Sequence, residues 1–287
     1  MIFLLPSEPF DHKKVDYSFM KEYNSIITLG YNVSLFDHDR FVTNGEFVSN
    51  FDFKKKSQSV VLRSWMLNIE QYHNLWTILK EKGFNIINNP TEYSNCHHLP
   101  EYYKWVERLT PKAVWTDDLS DESLIDLRSK IQGDVILKDY VKSEKDCEDI
   151  FILKKEITNE ELIQKLSKFR NQRGKLFNEG IVFKEKAALK KYGDKTNEWR
   201  IFFLQNKIIS ISQNSNLGWG QCPEVSFLLE FSEKIESNFF SIDIAEMEDS
   251  SWNILECGDG GVSGLSPDQN ELIFYMNFMD FDKSEKL

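Results

Sequence analysis

Residues Ser241–Gly261 read SIDIAEMEDSSWNILECGDGG, and the way this stretch folds decides the architecture around it. Alternating apolar residues predict strands over Phe239–Glu246 and Trp252–Cys257, joined by the polar turn Met247–Ser251. Asp243 lies in the first strand. Glu256 stands at the end of the second, and Gly258-Asp259-Gly260-Gly261 follows as a turn. If the hairpin pairs around the polar turn, the two carboxylates could face the same side and come close, and a pair of hard oxygen donors held that way suits magnesium completed by phosphate oxygens. A hairpin with both acids in water has the same spacing, so the pair needs support from the rest of the chain.

Upstream, Glu198–Leu204 and Lys207–Gln213 read as two strands joined at Gln205-Asn206. Asp134–Tyr140 and Gly180–Phe183 read as two more. Thr158–Arg170 has the spacing of an amphipathic helix, with Leu162, Leu166 and Phe169 on one face, and Ser226–Asn238 reads as a further helix. This half is therefore α+β, antiparallel strands with helices on one side. Lys138 interrupts the apolar run DVILKDY and Lys184 interrupts GIVFKE. An ammonium in a buried strand needs a partner, and a triphosphate is one; an edge strand whose lysine reaches water is the other reading. Neither GxxxxGKS/T nor GxGxxG occurs, which closes the P-loop and dinucleotide-fold routes.

The first 90 residues differ in kind. Apolar runs at Ile2–Leu5, Ser25–Leu35 and Ser59–Leu62 alternate with helical spacing, clearest over Ile69–Lys82, where Tyr72, Leu75, Trp76 and Leu79 share a face and Gly83 supplies the cap. FNIINNP adds a short strand closed by Pro90. A small α/β layer with a partly parallel sheet is predicted, followed from Thr91 to about Trp115 by a connecting helix and loop.

With 287 residues, 41% apolar and 28% charged, the chain is expected to fold as one large domain or two ordinary ones. A formal charge of −11 argues against a broad grip on nucleic acid. No run reaches the length of a membrane span, and MIFLLPSEPF is too short and lacks the basic lead of a signal peptide, which points to the cytoplasm. Cys96, Cys147, Cys222 and Cys257 contain no CxxC pair, so reduced thiols are expected rather than disulfides or zinc. Cys96-His97-His98 offers adjacent ligands without a third and reads as loop residues that could line a cleft. The charged tail after Asp280 reads as frayed.

The order of strand lysine, VFKE, NEWRIFF, IDIAE and ILECGDGG resembles the ATP-grasp superfamily, and most nearly its small clade named for an arginine and two lysines. RSWML (Arg63 to Leu67), NPTEYSNCHHLPEYY and LTPKAVW extend the resemblance from about Val60 to Pro267. It implies an α/β domain over 1–90, then an ATP-grasp domain over 91–287 in which two α+β subdomains clamp ATP. Lys138 would contact the phosphates or adenine, with Lys112 of TPKAVW as an earlier nucleotide lysine. Val182, Phe183, Lys184 and Glu185 would form the hinge whose backbone reads adenine. Glu198 would approach the ribose, Arg200 the phosphates, and Asp243 and Glu256 would hold magnesium. Many relatives carry an asparagine two residues after the second acid. Gly258 stands there instead, which leaves Asp259 or a water to supply the oxygen. Arg63 follows the strand SVVL, where a guanidinium can orient a substrate carboxylate; an ion pair with an acid is its structural alternative.

The activity so implied is an ATP- and magnesium-dependent ligase. It would join a carboxylate of a small molecule, peptide or protein to an amine or similar nucleophile through an acyl-phosphate, with Arg200 stabilising that intermediate. NEWRIFFLQNKIISISQNS and TPKAVW also resemble ATP-grasp proteins that assist assembly of a eukaryotic translation initiation factor. That resemblance implies an ATP-binding assembly chaperone with a protein partner.

Overall fold

A computed structural model describes residues 1–52, 58–142, 151–215 and 217–278. Cys147 and the tail after Asp280 lie outside the described residues.

The chain opens with a parallel sheet of β1 (Ile2–Glu8), β3 (Asn32–Phe36), β4 (Ser59–Leu62) and β5 (Asn85–Ile86), in the order β3-β1-β4-β5. A short β2 (Asp11–Val15) folds back along the end of β1. Both faces of β1 are buried, as a covered parallel strand requires. Ile2 and Leu4 pack with Tyr72, Leu75 and Leu79 of helix α3 (Ile69–Glu81). Phe3 and Leu5 pack on the other side against Phe202, Phe239, Phe274 and Tyr275, residues from the far end of the chain. The apolar run Ser25–Leu35 is not one element. Helix α1 (Met20–Thr28) ends, Gly30 turns at φ 78°, and β3 begins at Asn32. Helix α2 (His38–Asn44) carries little apolar periodicity and gave no sequence signal.

The expected connecting helix is a pair, α4 (Pro90–His97) and α5 (Leu99–Val106). Asn89 and Glu92 close a reciprocal cap around Pro90, so the proline expected to end a strand also starts a helix. A second sheet follows, β6-β9-β7-β8, from β6 (Ala113–Thr116), β7 (Val135–Asp139), β8 (Ile152–Leu153) and β9 (Ile181–Glu185), antiparallel throughout. Leu137 and Phe183 project from it into a core with helices α6 (Asp121–Ser129) and α7 (Asn159–Arg173).

After the small hairpin β10 (Lys191–Tyr192) and β11 (Lys195–Thr196), a third sheet forms from β12 (Glu198–Leu204), β13 (Lys207–Gln213), β14 (Phe239–Glu246) and β15 (Trp252–Asp259). Its order is β13-β12-β14-β15. Gln205 and Asn206 both take positive φ, 46° and 61°, which matches a two-residue hairpin turn to the twist of its strands. The helix predicted over Ser226–Asn238 shrinks to a 3₁₀ turn, Ser226–Leu228, and helix α8 (Leu229–Ser232). Glu236 takes φ 51°, a backbone state that a continuous helix does not admit. Helix α9 (Glu271–Met276) returns to the first sheet through Phe274 and Tyr275. The fold is an α/β layer followed by two α+β units, in line with the sequence. Among the described residues no helix is long and apolar enough to cross a membrane.

Candidate active site

Strand register builds the centre of the site. Arg200 on β12 pairs with Asp243 on β14, and Asp243 pairs with Glu256 on β15, so the three side chains form one row across one face of the third sheet. A bulge makes this possible. Between the pairs Asp243–Glu256 and Ile244–Ile254, Leu255 is the extra residue, and it sets Glu256 opposite Asp243. Arg200 grips Asp243 with Nε and Nη2, each 2.7 Å from a carboxylate oxygen, and donates from Nη1 to the Gly264 carbonyl at 2.6 Å. Burial alone would lower the Arg200 pKa; the Asp243 charge outweighs it and the net shift is upward.

Two lysines reach this row from the second sheet. Lys138 on β7 and Lys184 on β9 stand on the same face, since Lys138 pairs with Val182 and Lys184 with Ile136. Lys184 Nζ donates to the Leu255 carbonyl at 2.6 Å, the residue at the bulge, and Lys138 Nζ lies 3.5 Å from Glu256 Oε1. Both lysines are buried. Burial, with the nearby Lys138 charge, pulls the Lys184 pKa down to about 7. The row of Arg200, Asp243 and Glu256 on the third sheet is thus approached by two buried lysines of the second.

The other residues singled out in the sequence are placed as follows. Val182 and Phe183 are fully buried in β9, which is paired on both sides, so their backbone groups face neighbouring strands. Glu185 lies exposed at the strand's end. Lys112 Nζ donates to the carbonyl of Lys130 just beyond α6 and does not join the row. Glu198 shares the face of Arg200 one step along β12, and its carboxylate accepts from the Thr196 hydroxyl. Asp259 pairs with Phe240 and so projects from the opposite face of β15. Its carboxylate accepts from Asn88 Nδ2 at 2.6 Å and from the Gly261 N–H at 2.8 Å, and burial raises its pKa to about 7. The structure does not bring it to Asp243 and Glu256.

Arg63 is 1% exposed. It holds Glu22 of α1 through Nε at 2.8 Å and Nη2 at 3.1 Å, and its Nη1 donates to the carbonyls of Gly260 and Ser263. The arginine thereby ties the first sheet to the loop after β15.

Asp243 and Glu256 are hard oxygen donors set side by side, 14% and 34% exposed at their side chains, so they fit a magnesium ion that draws its remaining ligands from phosphate and water. Among the described residues no three His, Cys, Asp or Glu side chains gather as a self-sufficient metal cage. The cleft they face has a volume of about 320 Å³ and adds His97, Ser241, Ser263, Gly264, Lys142 and Arg173 to its lining. Arg173 and Asp139 form a buried ion pair at 2.9 Å, and Asp139 also accepts from the Val141 and Lys142 amides, which anchors the end of the strand that presents Lys138. The signal for that anchor was a charged residue in the last turn of α7 and an aspartate ending an apolar strand. His97 stands out in the sequence, but no spacing rule connects it to residues 160 positions away.

The model of an ATP-grasp domain, family 3 of the clade named for an arginine and two lysines, matches residues 126–277, more than half of the chain and both facing sheets' lysines and acids. The chain belongs to this ATP-grasp family. Solved structures share the fold over nearly the whole length. D-alanyl-alanine synthetase A from Vibrio cholerae superposes with a TM-score of 0.63 at 9% identity, over 98% of both chains. The macrocyclase MdnC from Microcystis aeruginosa, bound to its precursor peptide MdnA, gives 0.59 at 15% identity over 98% of this chain and 100% of that one. The ATP-grasp ligase PsnB, complexed with a minimal precursor, Mg and ADP, gives 0.59 at 12% identity over 99% and 97%. At such identities the likeness shows the fold. No curated protein matches the chain in sequence.

Proposed function

We propose that this ATP-grasp protein is an ATP- and magnesium-dependent ligase that joins a carboxylate to an amine or similar nucleophile through an acyl-phosphate. One observation carries the reading: Lys138 and Lys184 from one sheet converge with Arg200, Asp243 and Glu256 from the other. Cations aimed at one place beside two acids suit a polyphosphate with its metal better than they suit each other, because phosphoryl transfer needs charge neutralisation and positioning. Residues 1–90 are taken as the preceding α/β domain and 91–287 as the ATP-grasp domain.

Asp243 and Glu256 would hold magnesium, which when bound supplies charge neutralisation for the phosphates and a template for in-line transfer. Lys138 would release Glu256 and turn to phosphate oxygens. Lys184 would exchange the Leu255 carbonyl for the nucleotide, near the hinge formed by residues 182–185, with Glu198 toward the ribose. Arg200 would steady the transferred phosphoryl group while its grip on Asp243 fixes the ligand geometry. A carboxylate oxygen attacks the γ-phosphorus and ADP leaves; the amine then attacks the acyl carbon, phosphate leaves with the bonding pair, and the nitrogen gives up a proton to water or the departing phosphate. The precursor peptides in the MdnC and PsnB structures support a peptide or protein as the carboxylate partner. Dependence on ATP, with free thiols at Cys96, Cys222 and Cys257, fits the cytoplasm.

Calorimetry with a non-hydrolysable ATP analogue, with and without magnesium, tests the site in the wild type and in Asp243→Asn. Magnesium-dependent binding that weakens in the variant is expected. Release of ADP and phosphate that requires both an acid and an amine then separates a ligase from an assembly chaperone, which would bind ATP without such turnover.

A further inference from the structure

His97 closes α4 and lines the cleft together with Glu256 and Gly258. The residue is 5% exposed. Nδ1 accepts from the backbone N–H of Asp259 at 3.4 Å. A backbone amide only donates, so Nδ1 carries no proton and the ring proton sits on Nε2. That Nε2 is buried and has no hydrogen-bond partner among the described residues. A buried donor without an acceptor carries a free-energy penalty, and an oxygen bound in the cleft would remove it.

Gly258 keeps this corner open. A Cβ at that position would stand 2.8 Å from Ser263 Oγ, 3.6 Å from Ser241 Oγ and 3.9 Å from His97 Nδ1. The Ser241 hydroxyl donates to the Ser263 hydroxyl at 2.8 Å. The absence of a side chain at 258 therefore leaves two hydroxyls and an imidazole gathered where such a side chain would project.

We propose that the Nε2–H of His97 binds an anionic oxygen of the ligand in the cleft, either phosphoryl or carboxylate. The assignment deepens the ligase reading and rests on it. A neutral donor suits the place. Arg200 and Lys138 already answer the charges of Asp243 and Glu256, and an imidazole N–H adds direction at the reacting group without a further cation.

Nitrogen-15 NMR of the full chain with labelled histidine follows Nε2 of His97, identified by its loss in His97→Phe, while calorimetry on the same sample reads binding of the magnesium complex of the ATP analogue. If the analogue binds, a His97 shift with the analogue and none with AMP assigns the terminal phosphoryl oxygens. A shift that needs acetate on top of magnesium and ADP assigns a carboxylate. No shift in either arm, or an equal shift with AMP, overturns the proposal and leaves the ligase reading standing. If the analogue does not bind, the ligase reading fails, and orthophosphate and acetate alone decide: a shift with either keeps the subsite, and no shift removes it. His97→Phe is expected to lose about tenfold in affinity for the active anion, and His97→Gln, which retains an N–H near Nε2, to recover most of it. Equal losses in both variants would mean that the ring only packs, and would overturn the proposal.

Discussion

Arg63 with Glu22 and Arg200 with Asp243 are two forked arginine–carboxylate pairs of nearly the same length, 2.8 and 3.1 Å in one and 2.7 and 2.7 Å in the other. Their surroundings differ. Glu22 also accepts from the Tyr275 hydroxyl, Arg63 also donates to two carbonyls, and Arg63 is walled in between the first sheet and α9. Arg200 and Asp243 are 18% and 14% exposed and open onto the cleft, with Glu256 next in the row. A pair closed on every side acts as a lock between layers. A pair with one open side holds a carboxylate ready for another cation. Bond length does not distinguish the two; the wall around them does.

The largest expected effect breaks the lock. Arg63→Ala would leave Glu22 buried without its partner and should lower stability by about 3–5 kcal/mol, read from chemical denaturation. A loss below about 1 kcal/mol would mean that Arg63 is not an internal tether, and would return it to the substrate. The open pair should respond in the opposite way. Asp243→Asn keeps an oxygen for Arg200 but removes the charge proposed to hold the metal, so under the proposed ligase activity it should cost about a hundredfold or more in turnover with a much smaller change in denaturation midpoint. Near-normal turnover would remove Asp243 from the metal site.

The contrast between these pairs was only half legible in the sequence. The strands Glu198–Leu204 and Lys207–Gln213 and the start of the last hairpin could be read to the residue, because alternation and a short polar turn leave one register open. Asp243 followed from that register, but its pairing with Glu256 did not: it depends on the bulge at Leu255, and nothing in NILEC marks which residue is extra. The partner of Arg63 was also hidden. Glu22 lies 41 positions earlier in α1, and an acid on an amphipathic helix normally reads as solvent-facing. Asp259 looked like a candidate ligand because it neighbours Glu256 in sequence, but strand alternation and the pairing with Phe240 turn it to the other face. Short-range periodicity reaches elements and faces; contacts between distant elements, which decide lock or site, lie beyond it.

A third test uses pH. Burial beside Lys138 holds the Lys184 pKa near 7 without nucleotide, whereas phosphate oxygens would raise it. The bound state then carries more protons than the free state above pH 7, so affinity for the magnesium–ATP analogue should be level below about pH 7. It should fall above that pH, by up to about tenfold per unit, with proton uptake visible in buffers of different ionisation enthalpy. Lys184→Arg keeps the charge throughout and should flatten the profile. An unchanged profile in that variant would place the titration elsewhere.

The smallest expected effect sharpens the comparison from the cations' side. Lys112 and Lys138 both read as nucleotide lysines in the sequence, yet they stand in different settings. Lys138 is buried and reaches Glu256, whereas Lys112 is exposed and donates to the Lys130 carbonyl at 2.8 Å. An exposed ammonium on a helix-end carbonyl contributes only a few tenths of a kcal/mol, and in this position it has no claim on the phosphates. Lys138→Ala should therefore weaken the analogue by about tenfold, as expected for one lost charge-assisted hydrogen bond. Lys112→Ala should change it by less than about twofold, both measured by the same calorimetric titration. A tenfold loss in Lys112→Ala would show that nucleotide draws this lysine off α6. Openness to the cleft would then be created by the ligand rather than built into the fold itself.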